Sequence, residues 1–138
     1  MVSTTTHEVR TTGQGDVHNI SAPVVEAVAE SGLSAGIVTV AVVGSTAAVT
    51  TIEFEPGTVA DLDMLLERLA PRDGEYRHHE RWGDDNGSSH ARAALIGPSV
   101  TVPVVEGMLQ LGTWQQIVLA EFDTRSRHRQ LVIQIVGE

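Results

Sequence analysis

At 138 residues, with 41% hydrophobic and 20% charged side chains, the chain is long enough to bury one core and too apolar for a disordered segment. A formal net charge of −9 excludes a nucleic-acid surface, which rests on a basic patch. All nine cationic side chains are Arg and Cys is absent, which excludes disulfides, thiolate catalysis, cysteine zinc sites and any lysine Schiff base or Walker-type phosphate lysine.

No apolar run approaches the roughly 20 residues a membrane span requires. The opening residues Met1 to Arg10 carry no apolar signal core, so a cytoplasmic, membrane-free protein is expected. Residues Thr5 to Thr12 are polar and β-branched and read as a first strand. Ser21 is positioned to cap a helix through Val24, Val25 and Val28, which Ser31-Gly32 stops. Gly36 to Gly44 is short and β-branched and predicts a buried strand, and Ala47 to Phe54 continues in the same composition. Pro56-Gly57 breaks that run. Thr58 and Asp61 then form a capping pair for a helix in which Val59, Leu62, Leu66 and Leu69 recur at helical spacing, closed by Ala70-Pro71.

After this helix the segment Tyr76 to His90 is polar and rich in Gly and Ser and reads as a loop. Ala91–Ile96, Val100–Val105, Leu109–Leu111, Trp114–Phe122 and His128–Val136 follow as strands. The pattern predicts a single α+β domain over residues 1–138, with a mostly antiparallel or mixed sheet and two main helices in the N-terminal half.

The Tyr76–His90 segment gathers His78, His79, Asp84, Asp85, Asn86 and His90. Imidazole with carboxylate suits zinc, manganese or iron, and carboxylate with Asn suits magnesium beside a phosphate. A solvated acidic loop with surface histidines fits the composition equally well. In the Trp114–Phe122 strand Gln115, Ile117, Leu119 and Glu121 share one face. An inward Glu121 is then either the ion-pair partner of an Arg or a working acid/base. Arg125, Arg127 and Arg129 alternate along one face, where pairing with carboxylates takes precedence over binding an anion. The turns Gly44-Ser45-Thr46 and Gly97-Pro98-Ser99 offer either backbone N–H groups for a phosphate or turn chemistry alone.

These segments also resemble a known family. His78, Asp84-Asp85-Asn86, His90, Gly97-Pro98-Ser99, Pro103-Val104, Gly107, Leu111-Gly112-Thr113-Trp114-Gln115, Glu121-Phe122-Asp123 and Val136-Gly137-Glu138 resemble the pattern of the YjbQ-like family, also called the secondary thiamine-phosphate synthase family. The likeness extends upstream through Ser45-Thr46-Ala47, Glu53 and Asp61-Leu62. It implies a compact α+β domain that assembles as a homotrimer around a small-molecule pocket. It further implies weak joining of an aminopyrimidine pyrophosphate to a thiazole phosphate, with pyrophosphate released. The alternative is a non-enzymatic trimeric module that binds a phosphorylated or anionic metabolite or a metal. Carried over, the resemblance makes His78, His90 and Glu121 catalytic and gives Asn86, Ser99 and Gln115 to substrate. It gives His78, Asp84 and His90 to a divalent ion, magnesium or zinc. One departure stands out: many members of that family carry a His where this chain has Gly44.

Overall fold

The computed structural model describes all 138 residues. A long strand β1 (Val2–Arg10) is followed by the short β2 (Val17–Asn19), helix α1 (Ser21–Ser31), β3 (Ala35–Val43), β4 (Ala47–Glu53) and α2 (Pro56–Leu69). Two helices, α3 (Arg77–Trp82) and α4 (Gly87–Ile96), come next, and then β5 (Ser99–Val105), β6 (Met108–Leu109), β7 (Gln115–Glu121) and β8 (His128–Gly137). The strands form two antiparallel sheets, one of five strands in the order β1-β8-β3-β5-β6 and one of three in the order β2-β7-β4.

The α+β class and the antiparallel sheets are as the sequence predicts, and each expected strand outside residues 91–96 has its counterpart. Alternation explains the large sheet. Val38, Val40 and Val42 of β3, Val102 and Val104 of β5, and Leu131, Ile133 and Ile135 of β8 all point to one side and are buried. Against them lie Ala47 and Val49 of β4, Ile117 and Leu119 of β7, and Val24, Ala27 and Val28 of α1. The opposite face of the small sheet, with Ala48, Ala120 and the neighbouring Phe122, packs on Leu66 of α2 and Ala93 of α4. β7 is therefore covered on both faces, which is why Ile117 to Ala120 is an unbroken apolar run. Each Val, Leu or Ile so enclosed contributes roughly 1.5–3 kcal/mol through burial.

The helices depart from expectation at three places. α2 starts at Pro56, the favoured first position, and its cap is the Glu55 carboxylate, which accepts from the backbone N–H groups of Gly57 and Thr58. α1 ends as predicted, with Gly32 left-handed at φ 68°, but Ser21 does not cap it; its hydroxyl accepts from Ile117 N instead. The largest difference lies at residues 77–96, read as a loop and a strand but folded as α3 and α4. The inward face of α4 consists of Gly87, Ser88, Ser89, Arg92 and Ala93, so helical periodicity is present but not in apolar residues. Arg92 is 2% exposed and is neutralised there by Glu67 at 2.6 Å, while its Nε donates to Ala70 O at 2.9 Å.

Candidate functional site

The site is assembled by the α3–α4 hairpin. Gly83, left-handed at φ 64°, ends α3, and the chain reverses through Asp84-Asp85-Asn86 into α4. The close approach of the two helices depends on Gly87, because a Cβ there would lie 2.5 Å from the Tyr76 side chain and 2.9 Å from His79 Nε2. His79 is used by this turn: its Nε2 accepts from Gly87 N at 2.9 Å, and its ring meets the Tyr76 ring edge-on at 5.3 Å. His79 is therefore a structural group.

His78 and His90 are the pair that come together. Their ring centroids are 4.6 Å apart at a tilt of 37°. His78 Nδ1 lies 2.8 Å from Asp84 Oδ1, with both side chains about one-third exposed. The Asn86 amide sits 3.2 Å from both carboxylate oxygens of Asp84, so its nitrogen faces them and donates. With the carboxylate accepting from Nδ1–H, His78 Nε2 is left as a proton acceptor.

His90 also lines an open depression of about 340 Å³ together with Gly44, Ser45, Ala47, Ala93, Ala94 and Pro98. The turn at Gly97-Pro98 is tied beneath it by bonds from Val42 N to Pro98 O and Val49 N to Gly97 O. Ser99 follows on β5, exposed and opposite Ala41, beyond this lining.

Of the two roles open to Glu121, the ion pair is the one formed. The side chain is fully buried between the sheets. Its Oε1 accepts from Thr11 Oγ1 at 2.6 Å and Arg129 Nε at 2.8 Å, and its Oε2 accepts from Arg129 Nη2 at 2.5 Å and Asp123 N at 3.1 Å. A carboxylate so engaged has no free position for proton transfer. The arginine strand divides in the same way: Arg129 takes Glu121 and Thr46 Oγ1, Arg127 takes Asp123 at 2.6 Å, and Arg125 is exposed. Burial alone would raise the Asp123 carboxyl, but hydrogen bonds from Arg127, Thr46 and Thr124 outweigh it and hold the group below its ordinary value.

Gln115 is not brought to the cluster. It shares the inward face of β7 with Glu121 but stands six residues away, roughly 20 Å along the strand. There it is exposed, donates to Thr51 Oγ1 and accepts from Gly112 N. Its neighbour Trp114 is 74% exposed rather than part of a core.

The expected metal set of His78, Asp84 and His90 is also not closed. No three His, Asp or Glu side chains converge tightly enough to hold a cation between them. Asp84 is directed at the His78 ring, an orienting position rather than a shared ligand position. Two groups near the site escaped the sequence reading. One is Tyr76, whose ring carries the hairpin; the other is Arg129, placed by its spacing in a run of three arginines but not in this corner.

Comparison with known proteins agrees with this architecture. Residues 5–138 match the family model described as UPF0047 protein YjbQ-like. A UPF0047 protein of Methanothermobacter thermautotrophicus is 36% identical over 130 residues, covering 94% of this chain and 89% of that one. A UPF0047 protein of Mycobacterium tuberculosis is 42% identical over 102 residues, covering 73% and 75%. Among solved structures, a hypothetical protein of Aeropyrum pernix superposes with a TM-score of 0.89 at 32% identity, covering 99% of each chain. A YbjQ-like protein of Sulfolobus solfataricus does so with a TM-score of 0.89 at 28% identity over the whole of both chains.

Proposed function

Because this chain belongs to the YjbQ-like UPF0047 family, we propose that its His78–Asp84–His90 corner binds a phosphorylated small molecule and moves a proton on it. The observation that carries this reading is the contact of His78 Nδ1 with Asp84 at 2.8 Å, beside a second imidazole 4.6 Å away. Asp84 fixes the ring and tautomer of His78, leaving Nε2 to accept or return a proton. His90 then adds a hydrogen bond to phosphate oxygens at the edge of the depression.

The reaction proposed is a thiamine-phosphate-synthase-type transfer. The thiazole-phosphate nitrogen bonds to the aminopyrimidine methylene carbon, the bond from that carbon to the pyrophosphate oxygen breaks, and His78 or His90 hydrogen-bonds or protonates the departing oxygens. Since the side chains do not form a closed metal set, no step is routed through a cation. Magnesium and zinc are arms of the test.

The test is to incubate the protein with aminopyrimidine pyrophosphate and thiazole phosphate, with and without each ion, and to measure pyrophosphate release. Turnover is expected to fall about 100-fold in His78→Ala and His90→Ala. Undiminished turnover in both variants removes the assignment.

The open shape of the depression favours a second reading, a module that holds a phosphorylated metabolite without transforming it. Binding of pyrophosphate with no turnover would select it. We propose a homotrimer for either reading. Ile37, Val43, Val105 and Val136 lie exposed on the outer face of the large sheet, and such a face supports self-association. Light scattering on the eluted protein gives the mass.

A further inference from the structure

The Arg129 guanidinium is only partly used by its buried partners. Nε and Nη2 are committed to Glu121 and Thr46, while Nη1 makes no hydrogen bond to the protein. The side chain is 8% exposed, so this free donor is held in place by neighbours that are themselves fixed. The inner edge of the guanidinium is thus satisfied, and Nη1 is the nitrogen whose N–H groups are left for a partner outside the protein.

The position of Nη1 relative to the main chain gives it an outlet. It lies 2.8 Å from where a Cβ on Gly44 would stand, and Gly44 itself, at φ 156°, is exposed and forms part of the wall of the His90 depression. Glycine is thus the residue that leaves the space over Nη1 empty. Any side chain at this corner would cover the guanidinium or push it aside.

We infer that Arg129 is an anion-binding residue of the His78–His90 site, its Nη1 taking an oxygen of a phosphoryl group that enters over Gly44. The inference rests on the proposed binding of a phosphorylated molecule and names the group that would recognise the charge. Glu121 and Thr46 hold the guanidinium so that one edge is satisfied and the other is presented. In a chain without lysine, recognition of a phosphoryl oxygen falls to arginine, and Arg129 is held in place by its ion pair with Glu121. The occupant is a tetrahedral or paired phosphate, not a neutral metabolite.

Isothermal titration with inorganic pyrophosphate tests this, using the full chain and four variants whose fold is checked by circular dichroism and thermal melting. His78→Ala and His90→Ala report on the site itself. Gly44→Ala fills the space over Nη1, and the double variant Glu121→Gln/Arg129→Met removes the donor while leaving no buried charge behind. Both the double variant and Gly44→Ala are expected to weaken pyrophosphate at least tenfold while retaining the fold. Unchanged affinity in the folded double variant overturns the inference. Should that variant not fold, unchanged affinity in Gly44→Ala overturns it. If the histidine variants lose binding while Gly44→Ala and the double variant keep it, Arg129 has no part and the proposed site stands. If the unaltered chain binds no pyrophosphate at all, both fall.

Discussion

Two polar clusters built from the same kinds of residue lie close together in this molecule and have opposite fates. Around Glu121 and Arg129, both carboxylate oxygens accept two hydrogen bonds each and both side chains are enclosed. Around His78, Asp84 and His90, the side chains are partly open, and ring nitrogens remain without protein partners. An enclosed pair whose carboxylate is saturated stabilises a corner of the fold, whereas an oriented imidazole with one nitrogen free is equipped to exchange protons. Residue type does not separate the two clusters. The number of lone pairs left unused on the carboxylate or the imidazole does.

The largest effect should come from breaking the enclosed cluster. Arg129→Ala leaves Glu121 charged, buried and without its guanidinium, and should cost about 3–5 kcal/mol in urea denaturation. Replacing the pair together by Glu121→Gln/Arg129→Met should cost markedly less, because no lone charge remains. Equal losses in the two variants would mean that packing, not charge compensation, dominates this corner.

The open cluster should behave in the reverse way. His78→Ala and His90→Ala should shift stability by no more than about 0.5 kcal/mol, as partly exposed side chains do, yet remove most pyrophosphate release. Asp84→Asn comes next: it keeps shape but favours the wrong His78 tautomer, and should lower turnover about tenfold with a changed pH profile. An Asp84→Asn variant with normal turnover would show that His78 needs no orienting partner.

The same contrast explains what could be read from the chain. The strands of the large sheet are legible because Val38, Val40 and Val42, like Leu131, Ile133 and Ile135, alternate strictly with less buried residues. Helix α4 is not legible, because its buried stripe is Ser88, Ser89, Arg92 and Ala93, and hydropathy cannot mark a polar stripe as inward. The burial of Arg92 depends on Glu67, on α2, 25 residues earlier in the chain. The histidine cluster could be named from composition, but the choice of His78 over His79 turns on Gly87 and Tyr76, whose contact exists only after α3 and α4 have packed. Glu121 illustrates a further limit. Strand parity places it inward correctly, yet whether it is a proton carrier or an ion-pair partner depends on Arg129, which lies on the next strand, β8, and on the other sheet.

The smallest expected effect sharpens the account of the enclosed side. Asp123 is buried, and hydrogen bonds from Arg127, Thr46 and Thr124 prevail over desolvation to hold its carboxyl below the ordinary 3.8. A group whose folded value is depressed binds a proton more readily in the unfolded chain. Its contribution is therefore complete above the unfolded value and is lost as pH falls through the folded one. Urea midpoints measured from pH 5 down to pH 2.5 should fall below about pH 4. Asp16 and Glu67, also depressed, add slope of the same sign. Asp123→Asn isolates the share of this one group: the variant should be less stable than the parent at pH 5, with the gap narrowing toward pH 2.5 as the parent takes up its proton. A gap that stays constant over that range would place the depressed carboxyl elsewhere and leave Arg127 as a surface pair of little consequence.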